Sequence, residues 1–261
     1  MPVKRAFYEQ QNYRSARAGL SSRHAQVLKL AAKYRSGSQI GRVLDLGCLD
    51  GTFSMMLGRQ LAADEVCGVD ISQANVESAQ AKGCRAIVFD LDSGRLPFDD
   101  ASFDFIHVGD VLEHLYNPDN LLEEIRRLLT AEGHCILTTP NLAALANRVA
   151  LLFGYQPFPT GTSLEHDPGK LFVSNPLLLG GHIRVFTYRA ISQLCRIHNL
   201  SIVKVVGMPM SLGGQTMGRV KVVRTLERVL LGRTLYRVFP GLAWDLLLVI
   251  RKLEFAMTIL K

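Results

Sequence analysis

The stretch VLDLGCLDGTFS, Val43 to Ser54, constrains the fold more than any other part of the chain. A short apolar run reaches one acid, Asp45, passes Gly47 and Gly51 four residues apart, and enters a segment of helical composition. In a parallel sheet with crossover helices, ligands bind beyond the carboxyl ends of the strands. There the first turn leads into a helix whose N-terminal amides favour electron-rich groups. Gly47 and Gly51 would let the backbone turn sharply and approach a ligand that a Cβ would push away, and Asp45 would reach a polar group held there. The stretch reads as a cradle for a bound small molecule.

The residues around it supply the sheet. Val43–Leu46, Glu65–Val69, Arg85–Phe89, Phe103–Val108 and Cys135–Thr139 are short, apolar and rich in β-branched or aromatic residues, which predicts strands. Thr52–Ala62 and Gln73–Lys82 have helical composition, the second with Ser72 as cap and Gly83 as stop. Asn117 and Pro118 open a further helix. Its Leu121, Leu122, Ile125, Leu128 and Leu129 form an inward stripe before Gly133 ends it. The fold class is α/β, with a doubly wound, mostly parallel, Rossmann-like sheet and helices on both faces.

The loop also selects its ligand. Gly47-Cys48-Leu49-Asp50-Gly51 has no third glycine in register and no phosphate-binding lysine, so a dinucleotide and its oxidoreductase chemistry are a poor fit. Asp70 ends the second strand about twenty residues on, where a carboxylate accepts both hydroxyls of a ribose, and Asp90 ends the third. A nucleoside without phosphates is indicated.

VLDLGCLDG, VCGVDIS, FDLDSGRLPFDDASFDFI, VLEHLYNPDNLLEEIRRLLTAEGHCILTTPN and HIRVFTYRAI, in this order from Val43 to Val206, resemble the class I S-adenosylmethionine-dependent methyltransferases. The branch they resemble includes ubiquinone-biosynthesis and cell-surface-sugar methyltransferases. The resemblance implies that Asp45, Gly47 and Gly51 hold the methionine part, Asp70 with Ile71 the ribose side, and Asp90 with Leu91 the adenine. It puts Gly109 beside the sulfonium. Leu49 stands where the family has glycine. The resemblance further implies seven strands, the last, WDLLLVIRK, antiparallel to its neighbours.

Candidate chemistry follows the fourth strand. GDVLEHL places Asp110, Glu113 and His114 at spacings of three and four, on one face of a short helix. His114 is the candidate base, with Asp110 and Glu113 as catalytic partners. A divalent metal is a second reading of the same residues: Asp110, Glu113 and His114, with His182 of GGHIRVFT, would hold an ion that lowers an acceptor hydroxyl's pKa. The pattern is similar to the E-x-x-E-H motif of metal-assisted methyltransferases acting on quinol precursors or RNA 2′-hydroxyls, with Asp110 where they have glutamate. His166 and Asp167 read as loop.

The chain of 261 residues reads as a single methyltransferase domain. It comprises a helical leader over 1–40, a cofactor-binding core over 41–139, an insertion or substrate lid over 140–186, and a completion of the sheet over 187–261. In the leader, Ser22–Tyr34 is a predicted helix with Val27, Leu28, Ala31 and Tyr34 facing inward, and Tyr8, Tyr13 and Arg17 are lid candidates. In the insertion, Leu142, Leu145, Val149, Leu152 and Phe153 form a helical apolar face expected to pack mainly on the domain. Phe153, Tyr155, Phe158 and the loop 171–179 are candidates for an acceptor pocket. Thr187 is expected to cap a helix, followed by a strand at Ser201–Val206. A basic amphipathic helix from Arg219 to about Val238 suits either an anionic membrane surface or a core-facing helix.

The net charge of +7 is concentrated in the flanks. Five cysteines without C-x-x-C spacing, and no signal-peptide or spanning segment, point to a cytoplasmic protein, with peripheral contact at the inner face of a membrane as an extension. The expected activity is O-methylation of a small-molecule or lipid-linked acceptor, such as a surface-sugar or quinone precursor. An RNA 2′-O-methyltransferase, which would use the basic flanks on nucleic acid, and a non-catalytic scaffold binding the same nucleoside are the alternatives.

Overall fold

The computed structural model describes residues 21–35, 40–163, 166, 168–170, 181–209, 235–236 and 238–253. Among these residues, seven strands form one sheet: β1 Ile40–Leu46, β2 Ala63–Asp70, β3 Arg85–Val88, β4 Phe103–Gly109, β5 Leu129–Pro140, β6 Leu200–Met208 and β7 Asp245–Lys252. Their order is β3-β2-β1-β4-β5-β7-β6. The first five are parallel to one another, and β7 runs antiparallel between β5 and β6. The order reverses between β1 and β4, so a crevice opens beyond the carboxyl ends of those two strands.

Alternating side chains of the central strands divide the core between two faces. Val43, Phe105, Ile136, Leu247 and Val249 meet Val27, Leu30 and Ala31 of α1 (Ser22–Tyr34) and Leu57 and Leu61 of α2 (Thr52–Leu61). Leu44, Ile106, Leu137 and Leu248 point the other way. They pack on Leu121, Leu122, Ile125 and Leu128 of α4 (Pro118–Leu128) and on Ile191 and Cys195 of α6 (Tyr188–Ile197). Helix α3 (Gln73–Ala81) covers β2 and β3 with Val76 and Ala79 beside Cys48 and Cys84. All five cysteines are free and buried.

The predicted caps hold: the side chains of Ser72, Asn117 and Thr187 accept from the amides of Asn75, Asn120 and Ala190. The end of α4 differs from the expectation. The helix stops at Leu128, and β5 starts at Leu129 and runs through Gly133. Leu129 already pairs with Phe103, and the register shift between Phe103 and Phe105 takes up the polar residues that read as a helix end.

The insertion also departs from its reading. Helix α5 (Leu145–Leu152) turns Asn147 and Ala150 inward, whereas Val149, Leu152 and Phe153 are exposed, Leu152 to 79%. Small and amide side chains hold it instead. Asn147 donates to the Asn141 carbonyl and accepts from the Phe158 amide, and Asn141 donates to the carbonyls of Gly241 and Ala243. The lid candidates Tyr8, Tyr13 and Arg17, Asp167, the loop 171–179 and most of the basic helix from Arg219 lie outside the described residues.

Candidate active site

The loop after β1 is tied to the end of β2. The amides of Gly47 and Cys48 donate to the Val69 carbonyl at 2.8 and 3.0 Å, and the Leu49 amide donates to Oδ2 of Asp70 at 3.0 Å. Gly47, Leu49 and Gly51 all have positive φ, of 83°, 48° and 73°. The glycines are required for a reason additional to ligand approach. A Cβ on Gly47 would lie 2.5 Å from Val111 Cγ2, and one on Gly51 2.7 Å from Ala79 Cβ. Leu49 keeps the left-handed turn with a side chain, at a local cost of about 1 kcal/mol relative to glycine.

Asp45 is buried, with Oδ2 accepting from Ser54 Oγ at 2.5 Å and Oδ1 at 2.7 Å from His107 Nδ1. Asp70 is buried and accepts from three donors, the third and second being Asn75 Nδ2 and the Ser72 amide on Oδ1. Burial pushes its carboxyl above the usual range, against those hydrogen bonds. Asp90 turns the chain after β3 by accepting from the Asp92 amide, while Leu91 packs on the core edge and Ile71 is half-buried. Gly109 ends β4 where a Cβ would meet the His107 ring at 2.7 Å. Asp45, Gly47, Gly51, Asp70, Ile71, Asp90, Leu91 and Gly109 therefore lie at or just beyond the carboxyl ends of β1 to β4.

The segment after β4 is not one helical face. Asp110 has φ 54°, and only Leu112–His114 forms a single 3-10 turn. Asp110 is drawn aside by an ion pair with Arg23 and a 2.9 Å hydrogen bond from Thr138 Oγ1. Glu113 and His114 instead converge with His182, one candidate ligand atom of each lying within 4.8 Å of the others. The Glu113 carbonyl accepts from the amides of Ile183 and Arg184, which brings the two chain segments together. His114 Nδ1 donates to the Gly181 carbonyl at 3.0 Å and His182 Nδ1 to the Pro159 carbonyl at 2.9 Å, leaving the neutral rings' lone pairs on Nε2. Burial lowers the His182 pKa, which favours that neutral ring.

Glu113 is fully buried. Its Oε2 accepts from Thr139 Oγ1 at 3.1 Å, and its Oε1 has no hydrogen-bond partner among the described residues. Burial raises its pKa to about 7. A carboxylate and two imidazoles whose Nδ1 atoms are held by carbonyls fit a divalent transition ion, for which an outer hydrogen bond of this kind orients each histidine. Asp110 does not join them.

Four residues at the site carried no functional reading in the sequence: Arg23, His107, Thr139 and Asp245. Arg23 is one basic residue in a positively charged flank, and His107 and Thr139 fall inside predicted strands. Asp245, an acid heading an otherwise apolar strand, was the legible signal; burial raises its pKa too.

Residues 44–137, spanning β1 to most of β5, match a family described as a methyltransferase domain. Over 122 residues the chain is 31% identical to a probable S-adenosylmethionine-dependent methyltransferase of Mycolicibacterium smegmatis, covering 46% of this chain and 44% of that protein. It is 34% identical over 120 residues to a probable methyltransferase of Arabidopsis thaliana, 45% of this chain and 19% of that one. The chain thus spans less than half the length of these relatives. A methyltransferase of Haloferax volcanii, solved with the Trm112 methyltransferase activator, superposes with a TM-score of 0.59 at 19% identity, over 89% of this chain and 91% of the other. An S-adenosylmethionine-dependent methyltransferase from Mesorhizobium loti gives 0.55 at 19% identity, over 87% and 96%. With the strand order and the glycine loop, these matches identify residues 44–137 as a methyltransferase domain and liken the chain to S-adenosylmethionine-dependent methyltransferases.

Proposed function

We propose that the protein methylates a hydroxyl oxygen of a small or lipid-linked acceptor, such as a surface-sugar or quinone precursor, at a site completed by a divalent metal. The observation that carries this reading is the convergence of buried Glu113 with His114 and His182 beside the β1–β4 crevice, the Glu113 Oε1 having no hydrogen-bond partner among the described residues. S-adenosylmethionine supplies an already activated methyl group, so the protein must align the acceptor and take up its proton. Asp45, Gly47 and Gly51 are assigned to the methionine part, Asp70 and Ile71 to the ribose, Asp90 and Leu91 to the adenine, and Gly109 to the sulfonium side.

When bound, the metal would acidify the acceptor hydroxyl and orient it. Glu113, His114 and His182 would hold that ion. His114 is also the candidate general base if the hydroxyl reacts without an ion. In the transfer, the acceptor oxygen forms the O–CH₃ bond, the S–CH₃ pair returns to sulfur, and the acceptor proton passes to a base. The exposed Leu151, Leu152 and Phe153 at the end of α5, with Arg148 nearby, support a lipid-linked acceptor at an anionic membrane surface. Among the described residues no helix is long and apolar enough to cross a membrane.

Calorimetry should show S-adenosylmethionine binding and no NAD binding; the reverse result would overturn the cofactor assignment. Purified protein is expected to carry a divalent ion that His114→Ala loses, read by elemental analysis. An ion-free native protein whose activity ignores a chelator would end the metal assignment. Mass spectrometry of lipid and sugar extracts from cells with and without the gene, seeking the mass of one added CH₂, tests the acceptor class.

A further inference from the structure

Arg23 projects from the first turn of α1 to the end of the sheet where β4 finishes and β7 begins. Its Nη1 pairs with Asp110, and its Nη2 donates to Oδ2 of Asp245 at 2.8 Å. Its Nε is buried without a hydrogen-bond partner among the described residues. The helix that carries it is fixed on both sides of the site. Ser21 and His24 form a capping box, the His24 ring lies 4.5 Å from Phe53, and Phe53 lies 4.9 Å from His107, which holds Asp45.

Asp110 is equally constrained: its amide donates to the Thr138 carbonyl at 3.1 Å, and its Oδ1 accepts from Thr138 Oγ1. It directly follows Gly109 at the carboxyl end of β4, one strand from Gly47 across the point where the strand order reverses. An ion pair therefore borders the crevice.

We propose that Arg23 offsets the charge of Asp110 beside the sulfonium, and so sets how strongly the site distinguishes the cationic methyl donor from its neutral thioether product. This rests on the cofactor assignment made above. The sulfonium loses its positive charge as the S–CH₃ bond breaks. An unpaired carboxylate there would hold the donor more tightly than the transition state, lowering the dissociation constant without lowering the barrier. Arg23, shared between Asp110 and Asp245, removes most of that ground-state attraction while keeping Asp110 in its left-handed turn.

The test needs no acceptor. Calorimetry on the full chain gives the affinities for S-adenosylmethionine and S-adenosylhomocysteine, and their ratio is compared among variants. Arg23→Gln should move the ratio toward the cationic donor by about tenfold, because Asp110 loses its counter-charge. Asp110→Asn should move it the other way, since the guanidinium then faces the sulfonium, and the double variant should return toward the native ratio. Arg23→Lys, which keeps the charge, should stay within about twofold. A ratio unmoved in Arg23→Gln overturns the inference. If that variant does not fold, a ratio unmoved in Asp110→Asn does so. Native protein that binds neither ligand overturns the cofactor assignment together with the inference, whereas binding of both with invariant ratios overturns the inference alone.

Discussion

Replacing Asp70 with alanine is expected to weaken S-adenosylmethionine binding by more than about tenfold, a loss above roughly 1.4 kcal/mol. The carboxylate is buried at the tip of β2 and collects the Leu49 amide, the Ser72 amide and Asn75 Nδ2. Alanine would therefore remove the proposed ribose acceptor and, in the same step, leave three donors without their partner, at a cost of about 1 kcal/mol or more each where no water replaces it. The loop from Gly47 to Gly51 would lose its tie to β2 just where the methionine part is proposed to bind. Asp70→Asn separates the two effects, because it keeps the shape and one acceptor oxygen but not the charge. Calorimetric titration of both variants is the measurement, and an unchanged titration in Asp70→Ala would refute the ribose role.

The second large effect concerns Glu113. Its carboxyl, ordinarily near 4.5, titrates at about 7 in the fold because burial penalises the ionised form. Between those two values the folded protein keeps a proton that the unfolded chain has released, so metal-free protein loses stability as pH rises through this window. The loss is complete above about pH 7 and amounts to about 3 kcal/mol. Glu113→Gln carries no titrating group there. In the presence of a chelator its advantage over the native protein should grow from near zero at about pH 4.5 to about 3 kcal/mol at pH 8, measured by denaturant unfolding across the range. Asp245, also raised by burial, leaves a residual slope of the same sign. Parallel pH profiles for the two proteins would show that Glu113 is ionised in the fold throughout. Bound metal reverses the preference by holding Glu113 ionised, so ion binding below about pH 7 should release a proton and weaken as the pH falls.

Much of this site was legible because it is built on local pattern. Asp45, Gly47, Gly51, Asp70 and Asp90 each sit where an apolar run stops, and in a parallel sheet the stops of successive strands come together without any long-range information. The caps at Ser72, Asn117 and Thr187 are equally local, one side-chain oxygen meeting an amide three residues on. Where the pattern misled, a tertiary contact outweighed it. The polar residues up to Gly133 imitate a helix end, yet pairing of Leu129 with Phe103 draws them into β5. The apolar spacing of Val149, Leu152 and Phe153 imitates a buried face, yet α5 is held through Asn147 and leaves those side chains exposed.

The chain's own order of apolar runs, glycines and strand-end acids determined the α/β class and where the strand-end loops come together, since each follows from backbone geometry within a few residues. Only the tertiary structure decided that Asp110 turns to Arg23 and leaves Glu113, His114 and His182 to converge without it, and that Asp245 stands beside them. These partners lie between 68 and 222 residues apart or on separate elements, and the charges they pair are set by burial. A side chain's spacing along the chain says nothing of which distant group will be desolvated against it, and that desolvation is what separates a solvated charge from a working one.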